Sequence, residues 1–338
     1  MATPRAALFG TGRAVYNTVQ PSPCEQNQMS EQMRKTFALG VSLALAALVA
    51  AGAQGPARNG APTEEELRAL VGRLVANQHR NDAALAEYER HERRVERKHD
   101  GTEGRVVEDK TFRIIPTGTG TVKILLAERN QPVAPDVHLK QLAEIEKVLD
   151  IAANHPDLPK QKEAIAKGER RRRERAELVD SVPEAFRVTW LGRDQQNGRA
   201  LAKLQFDPNP DFKPRAKNSG FFAHSQAIFW VDEPEAQVVR LEARITRDIS
   251  VFGGIAGKVY KGGTFVMEQV KVAEGIWLPS RYEYDFDGRK FIFPFSVNET
   301  IEARNYRRLG PPDQALATLR RELRNGSSSV VRPASTTR

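Results

Sequence analysis

The chain has 338 residues, of which 40% are hydrophobic and 28% charged, a composition typical of a globular protein with a sizeable core. Its 52 Lys and Arg against 43 Asp and Glu give a net charge of +9, which permits acidic partners without identifying one. The only cysteine, Cys24, excludes a disulfide framework and a cysteine-ligated zinc site, and the presence of one short hydrophobic run excludes a polytopic membrane protein.

The N-terminal segment has the layout of a secretory signal. A basic start at residues 33–35 precedes an apolar run of about 16 residues, and Ala51-Gly52-Ala53 is a small-x-small cleavage site. A membrane-spanning helix needs about 20 apolar residues, so an uncleaved N-terminal anchor is the less favoured alternative. We therefore expect a Sec-type signal peptide at residues 33–53, cleaved near Ala53, and a periplasmic or otherwise exported product.

The residues in front of this signal show no amphipathic pattern. Residues 1–32 contain Pro4, Pro21 and Pro23 and nothing that continues the basic or apolar parts of the signal. We expect them to precede the true start of translation, at Met29 or Met33.

A linker and one amphipathic helix open the mature chain. Residues 54–62 are rich in Gly, Pro and Ala, which indicates a linker. Thr63 and Glu66 have the spacing of a capping box. The apolar side chains that follow recur at helical spacing to about Asn77: Leu67, Leu70, Val71 and Leu74. This stripe needs an apolar partner, and the face of a sheet is the simplest one.

Strands and then helices are predicted next. A highly charged stretch from Tyr88 to about residue 99, then residues 106–115 and 122–126, have the pattern of three strands, with a hairpin signal at Asp100-Gly101. Residues 136–180 read instead as a pair of helices broken at Pro156 and Pro159 and inserted between two groups of strands.

The second helix of this insertion carries the run Arg170-Arg171-Arg172-Arg173. Acidic residues at Glu169, Glu174 and Glu177 cancel most of its field. A solvated helix is therefore favoured over a patch for anionic lipid or nucleic acid, and export argues further against nucleic acid.

The remainder reads as an antiparallel meander with turn signals at Glu274-Gly275 and Asp287-Gly288. Along each strand one face is charged and the other apolar and aromatic. Residues 310–338 are expected to be a mostly disordered tail with one short helical patch. The predicted fold is α+β, mainly β: a curled antiparallel sheet, unclosed like half a barrel, packed on the N-terminal helix, in a domain at residues 63–309 with the helical insertion at 136–180.

No catalytic or metal-binding motif is complete. His91-Glu92 begins like HExxH, but Val95 replaces the second histidine. Residues 253–259 resemble a phosphate loop but lack its first glycine and its Ser or Thr, and Asp285 and Asp287 sit beside a predicted turn. We therefore expect a protein that is not an enzyme and that uses no metal and no cofactor.

The aromatic side chains of successive strands are the best functional signal. As single residues they are plain core, but as a group they could line a lipophilic cavity under one helix. The candidate ligand-binding residues are Phe229, Phe265, Met267, Trp277, Tyr282, Tyr284, Phe291, Phe293 and Phe295.

Several short motifs occur in an order that resembles a known superfamily. After the helix at 63–77 come Asn197-Gly198-Arg199, Phe206-Asp207-Pro208, Phe229-Trp230-Val231-Asp232, Val239-Arg240-Leu241-Glu242 and Gly275-Ile276-Trp277-Leu278-Pro279. This order is similar to the LolA/LolB-like periplasmic lipoprotein-localisation superfamily, which includes a domain like the N-terminal domain of RseB, and to outer-membrane lipoprotein-sorting-type secreted proteins.

The resemblance implies an unclosed barrel with a helical lid, a hydrophobic cavity for acyl chains and no cofactor. It leads to the hypothesis of a periplasmic, non-enzymatic carrier for a lipid or a lipoprotein acyl chain, with no integral membrane segment after signal cleavage. The alternative is an envelope-stress sensor or assembly module that meets an envelope protein through residues 136–180, since the charged insertion is a departure from the superfamily's pattern.

Overall fold

The structure is a computed structural model, and it describes residues 60–98, 104–196, 198–251 and 257–324. The expected signal segment, the Asp100-Gly101 turn and the end of the tail lie outside the described residues. The helices, in chain order, are α1 (Glu64–Leu85), α2 (Pro135–Asn154), α3 (Pro159–Asp180), α4 (Val182–Ala185), a 3₁₀ helix (Ser219–His224) and α5 (Pro312–Arg324).

The strands alternate with these helices in two groups. The first group precedes α2 and consists of β1 (Tyr88–Lys98), β2 (Arg105–Pro116), β3 (Thr121–Glu128) and β4 (Gln131–Pro132). The second follows α4 and consists of β5 (Phe186–Gln196), β6 (Arg199–Pro208), β7 (Ser225–Asp232), β8 (Gln237–Ile245), β9 (Ile249–Val251), β10 (Gly257–Val259), β11 (Thr264–Ala273), β12 (Ile276–Lys290) and β13 (Phe293–Arg308).

All thirteen strands of the described chain belong to one antiparallel sheet. Its order is β4-β3-β2-β1-β13-β12-β11-β8-β7-β6-β5, and β9 and β10 form a small flap on β12. The last strand, β13, therefore joins the first group of strands to the second, while β4 and β5 are the two ends of an unclosed sheet. The predicted fold class, a curled and unclosed antiparallel sheet packed with a few helices, is confirmed.

Helix α1 begins where the capping box predicted. Thr63 N–H donates to Glu66 Oε2 at 2.8 Å and Glu66 N–H donates to Thr63 Oγ1 at 3.2 Å. The helix continues to Leu85 rather than to about Asn77. The apolar stripe stops earlier because Asn77, Gln78 and Asn81 are buried by polar contacts with the sheet, which a hydrophobic pattern does not register.

The face of the sheet that packs on α1 is called the inner face here, and the opposite one the outer face. The core cluster joins the α1 side chains Leu70 and Leu74 to inner-face side chains of the second group of strands, among them Phe229 and Met267. On β8, Arg240, Glu242 and Arg244 alternate with inner-face residues such as Leu241 and point to the outer face, as predicted.

The two insertion helices do not pack as a pair. Helix α2 buries Leu142 and Leu149 against β3 and α5, in a second cluster that includes Ile115 and Ile124 of the outer face. Helix α3 lies on the other side, where Arg175 is ion-paired with Asp82 of α1. The helical patch expected in the tail is helix α5, a helix of 13 residues that Leu316 and Leu319 fix in this second cluster.

Candidate ligand-binding site

One row of side chains crosses the inner face and changes character halfway. The residues are directly paired from strand to strand, so their side chains point to the same face. On β6 to β13 the row is apolar, and on β1 to β3 it is charged: Leu204, Phe229, Leu241, Met267, Tyr282, Ile301, then Arg94, Lys110 and Glu128. The neighbouring row changes at Glu299, after Phe206, Ala227, Ala243, Phe265 and Tyr284.

The inner face therefore has two parts. The apolar half is the part formed by Leu204, Phe206, Phe229, Leu241, Phe265, Met267, Tyr282, Tyr284 and Ile301. The charged half is the part formed by Arg90, Glu92, Arg94, Glu96 and Lys110. The prediction that every strand has an apolar inner face is wrong for β1, because its inward charges are paired with one another instead of being solvated.

Glu92 is the centre of the charged half and is only 5% exposed. Arg90 Nε donates to its Oε1 at 2.8 Å and Arg94 Nη2 donates to its Oε2 at 2.8 Å. Burial by itself raises the pKa of Glu92, but the charges of Arg90 and Arg94 outweigh it and lower the pKa to about 2. Glu92 is therefore an ionised buried carboxylate that holds two guanidinium groups against the inner face.

Helix α1 is attached to the sheet by polar contacts at its C-terminal half. Asn77 Nδ2 donates to the Glu235 and Ala236 carbonyls at 2.7 and 2.6 Å, and Asn81 accepts the Trp277 N–H at 3.0 Å. In the first three turns of the helix the buried residues are all apolar: Leu67, Leu70, Val71 and Leu74. Polar contacts therefore hold the C-terminal half of α1, whereas the buried side chains of its first three turns are all apolar.

The nine predicted ligand-binding residues fall into three places. Six belong to the core under α1 or pack against it: Phe229, Phe265, Met267, Tyr282, Tyr284 and Phe295. Trp277 is also buried, but it lies where α1 ends, with its indole Nε1 donating to Glu235 at 2.9 Å. Phe291 and Phe293 lie apart, at the exposed tip of the β12–β13 hairpin beside Ile292, which is 80% exposed.

The turn that forms this tip is not at Asp287-Gly288, where the sequence predicted it. Both residues lie inside β12, and Gly288 pairs with Phe295. A Cβ at Gly288 would meet the Lys258 carbonyl and the Phe295 ring, so the glycine permits a close approach of β10 rather than a turn. The chain reverses instead near Phe291, whose φ is +52°.

The arginine run of α3 attaches this helix to the turn between β2 and β3. Arg171 donates to the Thr119 carbonyl at 2.7 Å and Arg172 to the Gly118 carbonyl at 3.0 Å. Glu174 of the same helix forms an ion pair with Lys217 at 2.8 Å. Part of the run thus has a structural use that charge patterning alone does not indicate.

The outer face carries a separate open groove. Its volume is about 620 Å³, and its lining includes Arg240, Glu268, Lys271 and Arg304. Arg240 is already paired with Glu242 at 2.7 Å, and Lys271 with Glu235 at 2.9 Å. The groove is wide and open, which distinguishes it from the covered inner face.

Other kinds of site find little support in the described ranges. No group of three or more His, Asp or Glu side chains among the described residues could hold a metal ion. His91 lies on the outer face of β1. Burial lowers its pKa, so the imidazole stays neutral near pH 7. None of the described helices is both long and apolar enough to cross a membrane.

Comparison with known proteins gives likenesses of fold only. No protein-family model matches the chain, and no curated protein matches it. Three similar solved structures are a putative outer membrane lipoprotein-sorting protein domain from Vibrio parahaemolyticus (9% identity, 72% of this chain and 97% of that chain covered, TM-score 0.29), a DUF1329 family protein from Desulfovibrio piger (9%, 68% and 89%, TM-score 0.24) and a LolA superfamily protein from Nitrosomonas europaea (8%, 68% and 89%, TM-score 0.24).

One of these proteins, that from Nitrosomonas europaea, is a member of the superfamily that the sequence motifs resemble.

Proposed function

We propose that the chain is an exported, non-enzymatic binding or carrier protein for a hydrophobic ligand, a lipid or a lipoprotein acyl chain. The ligand would lie between α1 and the apolar half of the inner face, after cleavage of the signal near Ala53. Phe229, Phe265, Met267, Tyr282 and Tyr284 would contact its hydrocarbon part.

The observation that carries this proposal is that α1 lies across a wide apolar face, with Leu178 of the end of α3 and Val182 of α4 packed beside it in the same cluster. In the present structure α1 itself fills the space, with Leu70, Val71 and Leu74 each at most 5% exposed. A hydrocarbon chain could replace these apolar contacts with others of the same kind, at about 25 cal/mol per Å² of apolar surface, so exchange of helix for ligand would be nearly balanced. The polar contacts of Asn77 and Asn81 would keep α1 attached during the exchange.

The test is to express the full chain with its own N-terminal segment in a bacterium, purify it without detergent and record its native mass. A stoichiometric lipid or acylated peptide, identified after extraction, would support the proposal. The purified protein is then titrated with the apolar fluorescent probe 1-N-phenylnaphthylamine. An apo mass together with no binding of the probe would refute the proposal.

A matched pair of variants locates the ligand on one face of one strand. Ala243 lies on the inner face of β8 between Ala227 and Phe265, and Arg244 is the next residue on the outer face. Ala243→Phe would occupy the space for a hydrocarbon chain and should weaken binding of the probe by about 5- to 150-fold, since overpacking typically costs about 1–3 kcal/mol. Arg244→Phe should leave binding unchanged, and thermal melts check that both variants fold.

A second candidate function, a protein-interaction module, is favoured by one feature of α2. Val137, Val148 and Ile151 are exposed and lie on one side of this helix, eleven and three residues apart. We propose this stripe as the part of residues 136–180 that would meet an envelope partner. Because α2 also buries Leu142 and Leu149, the insertion cannot be deleted without exposing core, so the test is Val148→Asp with Ile151→Asp. Loss of a partner captured by the wild-type chain, with an unchanged melting temperature, would support this role, and unchanged capture would refute it.

A further inference from the structure

The charged half contains a buried hydrogen-bond donor that has no acceptor. Arg90 Nη1 is inaccessible to solvent and finds no partner among the described residues, although Nε and Nη2 of the same guanidinium are bonded to Glu92. A buried donor without an acceptor costs about 1–3 kcal/mol, so native proteins rarely leave one unused. The position of Arg90 is therefore one at which a ligand oxygen would be stabilising.

A second donor faces the same region. Tyr282 lies in the apolar half, in the row that continues to Arg94, and its ring contacts Phe265 and Tyr284. Its hydroxyl makes no hydrogen bond with any of the residues that the structure describes, whereas the Tyr306 hydroxyl donates to the Pro279 carbonyl. Burial raises the pKa of Tyr282 to about 12, so the hydroxyl keeps its proton and acts as a donor at neutral pH.

The charges around these two donors are unbalanced. Three cations, Arg90, Arg94 and Lys123, act on the one carboxylate of Glu92. Further acids of the inner face, Glu96 and Glu299, lie toward the far end of β1, and Glu299 is 4.0 Å from Arg94 Nη1. Arg175 of α3 adds another positive charge near Tyr282, although its guanidinium is ion-paired with Asp82. The end of the charged half that contains Arg90 is therefore positive.

We propose that the ligand of this inner face is an amphiphile with an anionic oxygen head, a carboxylate or a phosphate, that accepts hydrogen bonds from Arg90 Nη1 and the Tyr282 hydroxyl. This inference rests on the proposed function, and it specifies the class of ligand. The hydrocarbon chain lies along the apolar half, and the head lies where this half meets the end of the charged half that contains Arg90. Glu92 orients the guanidinium of Arg90 so that its third nitrogen is left for the ligand.

The test compares amphiphiles that have the same saturated chain and different heads. Palmitate, hexadecyl phosphate, hexadecanol and hexadecyltrimethylammonium, each below its micelle-forming concentration, compete with 1-N-phenylnaphthylamine for the full chain. The wild-type protein should bind palmitate or hexadecyl phosphate at least about 10-fold more tightly than hexadecanol, because hydrogen bonds to charged groups contribute about 1.5–3 kcal/mol. The tighter of the two anions distinguishes a free carboxylate from a phosphate head.

Three substitutions assign the preference to its residues. Arg90→Gln should remove the preference for the anion and leave hexadecanol binding within about 3-fold of wild type. Tyr282→Phe changes no charge and should weaken anion binding by about 3- to 10-fold. The control Arg93→Gln removes the next positive charge along β1. Arg93 lies on the outer face, where it pairs with Asp109 at 2.7 Å, so this variant should bind all four amphiphiles as the wild type does. Circular dichroism and thermal melts verify that each variant is folded.

The outcomes separate this inference from the proposed function. Equal affinity of the wild-type chain for hexadecanol and both anions overturns the inference and leaves the proposed function standing. An anion preference that survives in both Arg90→Gln and Tyr282→Phe also overturns it. No binding of any of the four amphiphiles refutes the proposed function and the inference together.

Discussion

Replacement of Glu92 by glutamine should be strongly destabilising, although the two side chains have the same shape. Glu92 is 5% exposed and bonded to Arg90 and Arg94, whose side chains are 14% and 24% exposed. A pKa lowered from 4.5 to about 2 is equivalent to about 3 kcal/mol of stability from the charged form. This agrees with the roughly 3–5 kcal/mol that is lost when one partner of a buried ion pair is removed.

The assay is urea unfolding at pH 7, followed by tryptophan fluorescence. Glu92→Gln should lower the free energy of unfolding by about 3 kcal/mol. The control Glu302→Gln changes a half-exposed carboxylate of the outer face, 3.6 Å from Arg281, and should cost less than about 0.5 kcal/mol. A loss below about 1 kcal/mol for Glu92→Gln would refute the assignment of this residue as the anion that holds the charged half.

The same residue predicts the pH dependence of stability. The folded-state pKa of Glu92 lies below its unfolded value, so its contribution is present above pH 4.5 and is lost as the pH falls from 4.5 toward about 2. The difference in unfolding free energy between wild type and Glu92→Gln should therefore be constant from pH 5 to 7 and shrink below pH 4.5. A difference that stays constant to the acid limit of folding would contradict the ionised state of Glu92.

Two further substitutions test other parts of the fold. Arg113→Met should lower the free energy of unfolding by about 3 kcal/mol, because it leaves Glu89 and Glu322 with Arg307 as their remaining partner. The measurement is urea unfolding, and unchanged stability would show that this network does not attach α5. Gly168→Ala should cost about 1–3 kcal/mol, because its Cβ would lie 2.8 Å from the Thr119 carbonyl oxygen, whereas the control Gly220→Ala, with nothing within 4 Å, should be nearly neutral in the same thermal melt.

Local patterns predicted most of the elements but not every boundary. The capping box of Thr63 and Glu66 set the start of α1, and the alternation of Leu241 with Arg240 and Glu242 set the faces of β8. The turn at Gly275, with φ of +66°, is where the sequence placed it. The hairpin after β12 was misplaced because Gly288 serves a close packing contact, and a glycine needed for space looks the same in a sequence as one needed for a turn.

The charged half could not be predicted from β1 alone. Residues 89–94 are charged or titratable on both faces of the strand, so the period-2 pattern gives no direction. Which side chains point inward depends on the pairing of β1 with β13, the first and the last strand in the sequence. The burial of Glu92 is therefore a property of long-range topology. The same holds for Phe291 and Phe293, whose exposure depends on where the hairpin turns.

Photocrosslinking tests directly whether the inner face under α1 holds the ligand. Palmitate that carries a diazirine at the end of its chain is bound to the full-length protein, irradiated, and the labelled residues are identified by peptide mass spectrometry. We expect labels on inner-face residues of the core cluster, such as Phe229 or Met267, and on Leu70 of α1. Labels confined to the outer groove around Arg240, or to the exposed hairpin tip at Phe291 and Phe293, would contradict it.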